Sequence, residues 1–514
     1  MKKYLFVFFL VSTYLLAQDT TVSEAFKHSK KEDYSPVRTK YVSYTLLTSY
    51  ILVQEANKSD PFAQHELGLR YLLGKGFPAD TVKAIYWIRK AVDQNLPFAN
   101  YNYAILLYNG IGVPWNPFDA FYHFKKAADA GLPDAQFAMG IFYTDNLVVN
   151  RDYKKAYYYF KSSADAGYEQ AKKAINELKR IGFVPTDSMG NDTKVAKNID
   201  LTAPLIDVGW DLDFYNFQKD SATVNDSSIE ILSTKDKNDL LKYLGINDSL
   251  NVINLSDTTI TGIIDYTAKS GSPEALLLKA RAIEKGRIYN KDLVMAAAYY
   301  LRSLRLGANK AAQYLIKMIQ NKLFYNLLKS QVKQNNPDAM YVWAGLTALG
   351  LDYQLTNQQA LEFLVKASKM NHIPSLLELG LCYYSGQLVK QDKKQAFYYW
   401  EMAADLGSIE ASVRIAFANI LQRTETNTEY RHEENSDLMK DLYTLQKAAN
   451  QGSVLAQSAL AYCYEKGIGF KENKAYAVKL YRLSAQRGSE AAYNSLKRMY
   501  DEIRPNDEIF KIYN

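Results

Sequence analysis

The residues that could carry out nucleophilic or metal chemistry are few and lie far apart in the sequence. The chain has five histidines and two cysteines, which is too few thiols for a four-cysteine zinc site. His65-Glu66 lacks the second histidine, four positions after the first, that a zinc-protease helix requires. No Gly-x-Ser-x-Gly segment, which presents an activated serine in many hydrolases, is present. The sequence therefore predicts no catalytic, cofactor-binding or metal site.

The other histidines and both cysteines do not form clusters. The remaining histidines fall in repeated helical positions, a turn or polar segments: His28, His123, His372 and His432. Cys382 and Cys463 occupy the same position in the first helices of two different repeat units. Packed helices lie about 8–10 Å apart, whereas a disulfide needs Cα atoms within about 7 Å of each other. We therefore expect both thiols to be free.

The composition is that of a folded chain with a weakly charged surface. Of 514 residues, 48% are hydrophobic and 41 are tyrosine, which is too apolar for a disordered polymer. The 62 basic and 55 acidic residues leave a net charge of +7, whereas nucleic-acid binding needs basic residues concentrated on one face. The densest basic stretch, residues 27–40, is interrupted by Glu32 and Asp33. We expect no nucleic-acid partner.

A period of 36 residues defines the elements that must position every side chain. Such a period is typical of stacked supersecondary units. The first array has matching alanines at Ala63, Ala99, Ala135 and Ala171, and again at Ala84, Ala120 and Ala156. The second array has Ala339, Ser375 and Ala411, then Ala360 and Ala396, and finally Ala456 and Ala492.

Each unit is predicted to be a helix, a glycine turn and a second helix. A large apolar residue is followed by a small one in the first helix, as in Met139-Gly140, which lets two helices approach closely. Glycine turns such as Gly74-Lys-Gly76 are typical helix ends. They lack the Gly-Lys-Ser/Thr ending of a phosphate-binding loop, so we interpret them as connectors.

Two units depart from this pattern. Ala311 and Ala339 are only 28 residues apart, which predicts that eight residues have been lost from the turn and the second helix. The unit at Ala411 has Gln422 where glycine is expected, and it carries a polar insertion near residues 424–436. We expect such units to bend the stack or to expose a loop.

The unit that begins at Ala99 carries a family resemblance. It reads Ala99-Asn-Tyr-Asn-Tyr-Ala-Ile-Leu-Leu-Tyr-Asn-Gly-Ile-Gly-Val, then Asp119-Ala120, then Phe124-Lys-Lys-Ala-Ala and Gly131. This pattern resembles the Sel-1-like repeats, a branch of the tetratricopeptide superfamily, over about residues 61–182 and 271–500. The resemblance implies an all-α fold, a right-handed α-solenoid of helix-turn-helix repeats that forms an α/α superhelix. It also implies a protein or peptide ligand on the concave helical surface.

The period and the composition together divide the chain into segments. The predicted order is a signal peptide (1–17), an N-terminal extension with a capping helix (18–60), a first repeat array (61–182), a non-repeat linker or insertion (183–259), a second repeat array with its insertion (260–503) and a C-terminal tail (504–514).

The first seventeen residues predict export. Lys2 and Lys3 precede the apolar run Tyr4–Leu16, and Ala17 comes before a polar stretch, which is the layout of a secretory signal peptide. Thirteen residues are too few for the roughly 17–25 that cross a bilayer. We expect a protein of the bacterial envelope, periplasmic or secreted, with no integral membrane span after cleavage.

The linker leaves a second class of function open. Residues 201–217 are rich in aromatic side chains, which either pack on the solenoid or occupy its groove until a partner arrives. The linker also contains Asp207, Asp211 and Asp213, and a glycan hydrolase needs two carboxyls about 5–10 Å apart. The favoured function is a non-enzymatic exported scaffold for protein or peptide binding. The alternative is a glycan-binding or cell-wall-binding protein, or a hydrolase with its site in the linker.

Overall fold

The computed structural model describes residues 49–180, 183, 244, 260–308, 310–426 and 436–513. In these ranges α-helices pair into successive hairpins, so the predicted all-α solenoid of helix-turn-helix units is confirmed. The earlier helices are α1 (Ser49–Asn57), α2 (Pro61–Leu73), α3 (Thr81–Asp93), α4 (Pro97–Asn109), α5 (Pro117–Asp129), α6 (Pro133–Asp145), α7 (Tyr153–Asp165) and α8 (Glu169–Arg180).

The later helices follow the linker. They are α9 (Ile260–Lys269), α10 (Pro273–Lys285), α11 (Leu293–Arg305), α12 (Lys310–Ile319), α13 (Lys322–Lys333), α14 (Pro337–Ala348), α15 (Asn357–Ser368), α16 (Ile373–Ser385), α17 (Lys393–Asp405), α18 (Ile409–Thr426), α19 (Ser436–Asn450), α20 (Val454–Lys466), α21 (Lys474–Gln486) and α22 (Glu490–Asp501). A short 3-10 turn follows at Glu508–Phe510.

The helices begin and end where the local sequence dictates. Asp80 accepts a hydrogen bond from the amide of Lys83 at the start of α3, which satisfies a donor that the helix itself leaves without a partner. Pro97 lies in the first turn of α4, where no amide donor is needed. Gly74 ends α2 in the left-handed region, at φ 66°, which glycine adopts without steric cost. The glycine turns are therefore helix connectors, as predicted.

Small residues allow the two helices of a hairpin to touch. A Cβ added at Gly140 of α6 would lie 2.4 Å from Cδ1 of Phe160 in α7. One added at Gly380 of α16 would lie 2.1 Å from Nε1 of Trp400 in α17. No side chain fits in that space. The large-beside-small pattern is therefore confirmed as a packing feature.

We predict that enlarging the alanines that recur with the 36-residue period in the second helices destabilises the stack. Ala120 and Ala396 are fully buried, so leucine at either position overpacks the hairpin contact and lowers the free energy of unfolding by about 1–3 kcal/mol. Ala130 is exposed at the end of α5, and leucine there should change stability little. Urea denaturation of the three variants measures this, and equal losses at all three sites would contradict the register.

The shortened hairpin differs from the prediction. Its second helix, α13, keeps 12 residues, whereas its first helix, α12, has 10. The loss therefore falls on the turn and the first helix, and the predicted loss from the second helix is wrong. The reason is local: Asn321 accepts a hydrogen bond from the amide of Leu323 and starts α13 immediately after α12. The helix α18 is also longer than usual, at 18 residues, because Gln422 does not end it as glycine would.

The chain forms two compact units. Among the described residues, the first unit contains α1 to α8 and residues 497–513, and the second contains residues 244, 260–308, 310–426 and 436–496. The C-terminal residues thus pack with the first repeat array.

Several predictions concern residues outside the described ranges. They are the signal peptide at 1–17, most of the extension, most of the linker with its apolar stretch 201–217, and most of the insertion near 424–436. Among the helices that are described, none combines the length and the apolar character of a membrane span.

Candidate peptide-binding site

The described histidines are held in structural hydrogen bonds. His65 is buried, and its Nε2 lies 2.8 Å from the Asn102 amide nitrogen. Burial lowers the pKa of His65 to about 4, so its ring is neutral and accepts this hydrogen bond. Nδ1 of His123 lies 2.9 Å from Oδ1 of Asn100, and burial also lowers the pKa of His123. Both histidines link neighbouring helices.

The other candidates for chemistry are separated in the same way. His372 lies just before α16, with Nδ1 2.9 Å from the Ser375 hydroxyl and Nε2 3.2 Å from Asp338. Both cysteines are free thiols in the first helices of different hairpins, as predicted. Burial raises the pKa of Cys463 to about 12 and also raises that of Cys382, so both sulfurs stay protonated and weakly nucleophilic.

Other sequence candidates lie outside the described ranges: His28, His432, Asp207, Asp211 and Asp213. Within those ranges, no group of three or more histidine, cysteine, aspartate or glutamate side chains is arranged to hold a metal ion.

The C-terminal residues of the first unit lie on a surface of its repeats, which we call the tail site. It consists of Trp115, Phe118, Phe121, Tyr122 and the turn at 147–150. The helix that leads into it is anchored by Tyr500, whose buried hydroxyl lies 3.2 Å from that of Tyr108. The ring of Tyr500 also packs edge-on against Trp115, with centroids 5.2 Å apart.

Phe510 is the apolar anchor of the tail. Its side chain is fully buried in a cluster of three rings that belong to α5. Its ring centroid lies 5.0 Å from that of Phe118, 5.7 Å from that of Phe121 and 5.2 Å from that of Tyr122. Full burial of a phenylalanine side chain contributes about 1.5–3 kcal/mol, so this residue supplies much of the affinity of the tail for the site.

Arg504 is the polar anchor. Its guanidinium donates hydrogen bonds to the carbonyl oxygens of Leu147 at 2.7 Å and Val148 at 3.2 Å. It also donates to the carbonyl of Phe510 at 2.8 Å, which fixes the loop between the two anchors. Asp501 accepts a further bond from it at 2.7 Å. Hydrogen bonds from a charged donor to backbone acceptors are stronger than neutral ones.

Residues at the edge of the tail site form hydrogen bonds with the tail, including its backbone. The Asn150 amide donates to the carbonyl of Lys511 at 2.5 Å, and its oxygen accepts from the amide of Tyr513 at 2.9 Å. The Tyr122 hydroxyl donates to Asp507 at 2.9 Å. Partial burial, with the Asp507 carboxylate beside it, raises the pKa of Tyr122. The site therefore combines an aromatic pocket, carbonyl acceptors and an asparagine that pairs with extended backbone.

The sequence does not predict this site, and residues 504–514 are expected from it to be only a C-terminal tail. One signal was present, since Phe510 and Tyr513 are aromatic residues in a short polar segment. No pattern in the sequence says that they contact a repeat almost 400 positions earlier.

The second unit holds a buried ionic cluster between α11, α16 and α18. Glu410 is 2% exposed and lies 2.8 Å from Arg414, 3.8 Å from Arg302 and 3.9 Å from Arg305. Arg305 also pairs with Glu378. Burial alone would raise the pKa of Glu410, but the three guanidinium groups lower it to about 2. These charged groups are therefore engaged with one another.

The first and last hairpins of the second unit also touch. Gly307 follows α11 and Gly488 follows α21, and a Cβ added at Gly488 would lie 1.8 Å from the Gly307 carbonyl oxygen. Beside this contact, Arg487 donates to both carboxylate oxygens of Glu274 at 2.8 and 2.6 Å. It also donates to the carbonyl of Gly452 at 2.7 Å. The second unit thus closes on itself.

We predict that Phe510→Ala releases the tail. Losing a buried phenylalanine weakens the tail contact by about 1.5–3 kcal/mol, which corresponds to an increase of more than tenfold in the released fraction. Limited proteolysis should therefore cut residues 504–513 at least about ten times faster, while the repeats stay intact. The exposed neighbour Ile509 provides the control, because Ile509→Ala should leave the cleavage rate nearly unchanged.

Comparison with known proteins identifies the repeats. The family model described as the Sel1 repeat matches residues 61–96, 97–132, 133–168, 373–408 and 454–489. The chain is 30% identical over 139 residues to the chitin synthase regulator SKT5 of Saccharomyces cerevisiae, covering 27% of this chain and 19% of that protein. It is 30% identical over 116 residues to DAP3-binding cell death enhancer 1 of Rattus norvegicus, covering 23% and 21%. The chain therefore spans about a fifth of the length of these two relatives.

Two solved structures are also similar. One is the crystal structure of c5321, a protective antigen present in uropathogenic Escherichia coli strains that displays an SLR fold. It is 20% identical, with 90% of this chain and 84% of that chain covered and a TM-score of 0.30. The other is a Sel1 repeat protein from Oxalobacter formigenes, 33% identical, with 25% and 96% covered and a TM-score of 0.24. The family model thus shows five Sel1 repeats in this chain, each of which forms one helical hairpin of the described structure.

Proposed function

We propose that this protein is a non-enzymatic scaffold that binds segments of other proteins, and that it works in the bacterial envelope after export. One observation carries the binding role: the first unit holds a segment of its own chain, residues 504–513, through Phe510, Arg504 and Asn150. A surface that holds one such segment has the donors, acceptors and apolar pocket to hold another of the same chemistry.

The family resemblance implies a ligand on the concave helical surface. The segment that the first unit holds lies on α5 and on the turn at 147–150. We propose the tail site as the place of partner binding.

The relatives are in keeping with a role of this class. One is named as a regulator of chitin synthase and another as a binder of DAP3. Both names describe action on another protein, and we infer that the repeats of this chain also act by contact with a protein partner.

Site-specific crosslinking in cells tests the binding role. A photoreactive phenylalanine analogue replaces Tyr122 in the tail site or, as the matched control, Tyr398, which is 55% exposed in the second unit. We expect crosslinks to other proteins from position 122 that increase when residues 504–514 are deleted, since the tail then no longer competes. Equal crosslinking from both positions, or no effect of the deletion, would contradict the proposal.

The proposal of export rests on the first seventeen residues and has a separate test. Fractionation followed by N-terminal sequencing should find the chain in the periplasm or medium, beginning near residue 18. A chain that stays in the cytoplasm and begins at Met1 would refute the envelope location and leave the binding role intact.

A further inference from the structure

The three positions that hold Phe510 recur in the hairpin before it. Phe118, Phe121 and Tyr122 lie on α5, and 36 residues earlier α3 has Val82, Ile85 and Tyr86. In α5 the first two of these side chains are fully buried, and the tail covers them. In α3, Val82 is 80% exposed and Tyr86 is 53% exposed. The first position is therefore covered in α5 and open to solvent in α3. Ile85 is half-buried, and Tyr86 is more exposed than Tyr122, at 53% against 38%.

Other hairpins do not repeat this arrangement. The third hairpin has Lys154 at the first position, and its second position, Tyr157, packs against Phe183 with ring centroids 5.7 Å apart. The hairpin α16–α17 has Lys394 there. A lysine cannot complete an apolar pocket for a ring. The helix α11 has the apolar residues Val294, Ala297 and Ala298 at the three positions, but all three are buried. Among these hairpins, α3 therefore matches α5 in having an accessible apolar group that includes a tyrosine ring.

The turn beside α3 also corresponds to the turn that Arg504 contacts in the tail site. Arg504 binds the carbonyls of Leu147 and Val148, and the residues 36 positions earlier are Ile111 and Gly112. This earlier turn lies against α3, since a Cβ added at Gly112 would lie 2.6 Å from Cδ1 of Ile85. The apolar group on α3 therefore has backbone carbonyls beside it, as the tail site has.

The charge around the α3 group favours an acidic segment. The helix α3 carries Lys83, Arg89 and Lys90 against Asp93 and its cap Asp80, which pairs with Lys83 at 3.2 Å, so Arg89 and Lys90 supply the excess of positive charge near Tyr86. The ammonium of Lys90 lies 5.7 Å from the centroid of the Tyr86 ring. In the tail site, the Tyr122 hydroxyl donates a hydrogen bond to the carboxylate of Asp507, which lies three residues before Phe510. A basic surface beside Tyr86 suits a carboxylate at that same spacing.

The geometry points to Val82, Ile85 and Tyr86, with the turn at Ile111–Gly112, as a second peptide-docking site. Its occupant is a partner protein segment of the pattern Arg-x-x-Asp/Glu-x-x-aromatic, the pattern of residues 504–510. This inference rests on the proposed function of peptide binding and adds the place and the chemistry of the partner. A partner with two such segments would bind both sites. Its overall affinity would be higher, because the second segment binds at the high effective concentration set by the first.

Fluorescence anisotropy with a labelled peptide of residues 503–514 tests this site on the full chain, whose own tail occupies the tail site. We expect saturable binding that weakens at least about tenfold, or 1.4 kcal/mol, in a Val82→Lys, Tyr86→Ala variant. Both positions are exposed, so the variant should fold. Tyr398→Ala is the matched control and should bind as the parent does, and a peptide with Phe510→Ala should not bind.

Three results would overturn the inference. One is the absence of peptide binding to the full chain. Another is binding that survives Val82→Lys, Tyr86→Ala but is lost in Tyr122→Ala, because the peptide would then be replacing the tail; the proposed function would stand. The third is binding of a chitin or peptidoglycan oligosaccharide, but not of the peptide, that depends on Tyr86.

Discussion

Replacing Gly488 by alanine destabilises the second unit far more than replacing Gly407 by alanine. Both glycines follow a second helix with left-handed backbone, at φ 95° and 86°, so both variants bear the strain of about 1–2 kcal/mol that a side chain meets there. At Gly407 an added Cβ meets nothing within 4 Å, whereas at Gly488 it meets the backbone of Gly307. We expect an additional loss of about 1–3 kcal/mol at Gly488.

Urea denaturation followed by circular dichroism measures this difference. The reciprocal change, Gly307→Ala, places a Cβ 2.5 Å from the Gly488 carbonyl and should resemble Gly488→Ala. If Gly488→Ala and Gly407→Ala shift the midpoint equally, the first and last hairpins of the second unit are not in contact in solution.

The largest loss of stability is expected from Glu410→Ala. The change leaves Arg302, Arg305 and Arg414 without the carboxylate that they share, and removal of one partner from a buried ionic cluster costs about 3–5 kcal/mol. The matched control is Glu502→Ala, which breaks the exposed pair with Arg498 and should cost no more than about 1 kcal/mol. Equal losses would mean that the Glu410 cluster is solvated.

The same cluster should make the free energy of unfolding depend on pH. The three arginines lower the pKa of Glu410 from 4.5 to about 2 although burial opposes this. The contribution of the Glu410 carboxylate is therefore complete above about pH 4.5 and is lost as the pH falls toward 2. The difference in unfolding free energy between the parent and Glu410→Gln should narrow across this window. A constant difference from pH 6 to pH 2.5 would contradict the ionic assignment.

The hairpins could be predicted from the sequence because their determinants are local. Asp80 starts a helix and Gly74 ends one through hydrogen bonds that span a few residues. Gly140 and Phe160 meet between the two helices of one unit, so their contact recurs with the period. Alanine spacing therefore fixes the register of each hairpin, and a match to the Sel1 repeat follows from the same positions.

The shortened hairpin shows that the spacing between repeats does not predict which element is shortened. The spacing from Ala311 to Ala339 gives the size of the loss but does not say which element bears it. Asn321 caps the start of α13, so the second helix is kept and the loss falls on the turn and the first helix. That residue type was visible in the sequence, and reading it as a helix start would have corrected the prediction.

The candidate site could not be predicted because its parts come from distant positions. Phe510 meets Phe118, and Arg504 meets the carbonyl of Leu147. Neither contact repeats with the period, and the carbonyl acceptor carries no side-chain signature at all. The closure of the second unit by Arg487 and Glu274 is hidden for the same reason.

The most direct test of the central claim, that a surface of these repeats recognises a peptide segment, uses the chain truncated after Ile503 and the peptide of residues 504–514. Titration calorimetry should give saturable binding at the tail site and at the α3 site. Binding should be lost when the peptide carries Phe510→Ala, and binding at the tail site alone should be weakened by Asn150→Ala in the protein. Absence of binding at millimolar peptide, or equal binding of the Phe510→Ala peptide, would contradict the account.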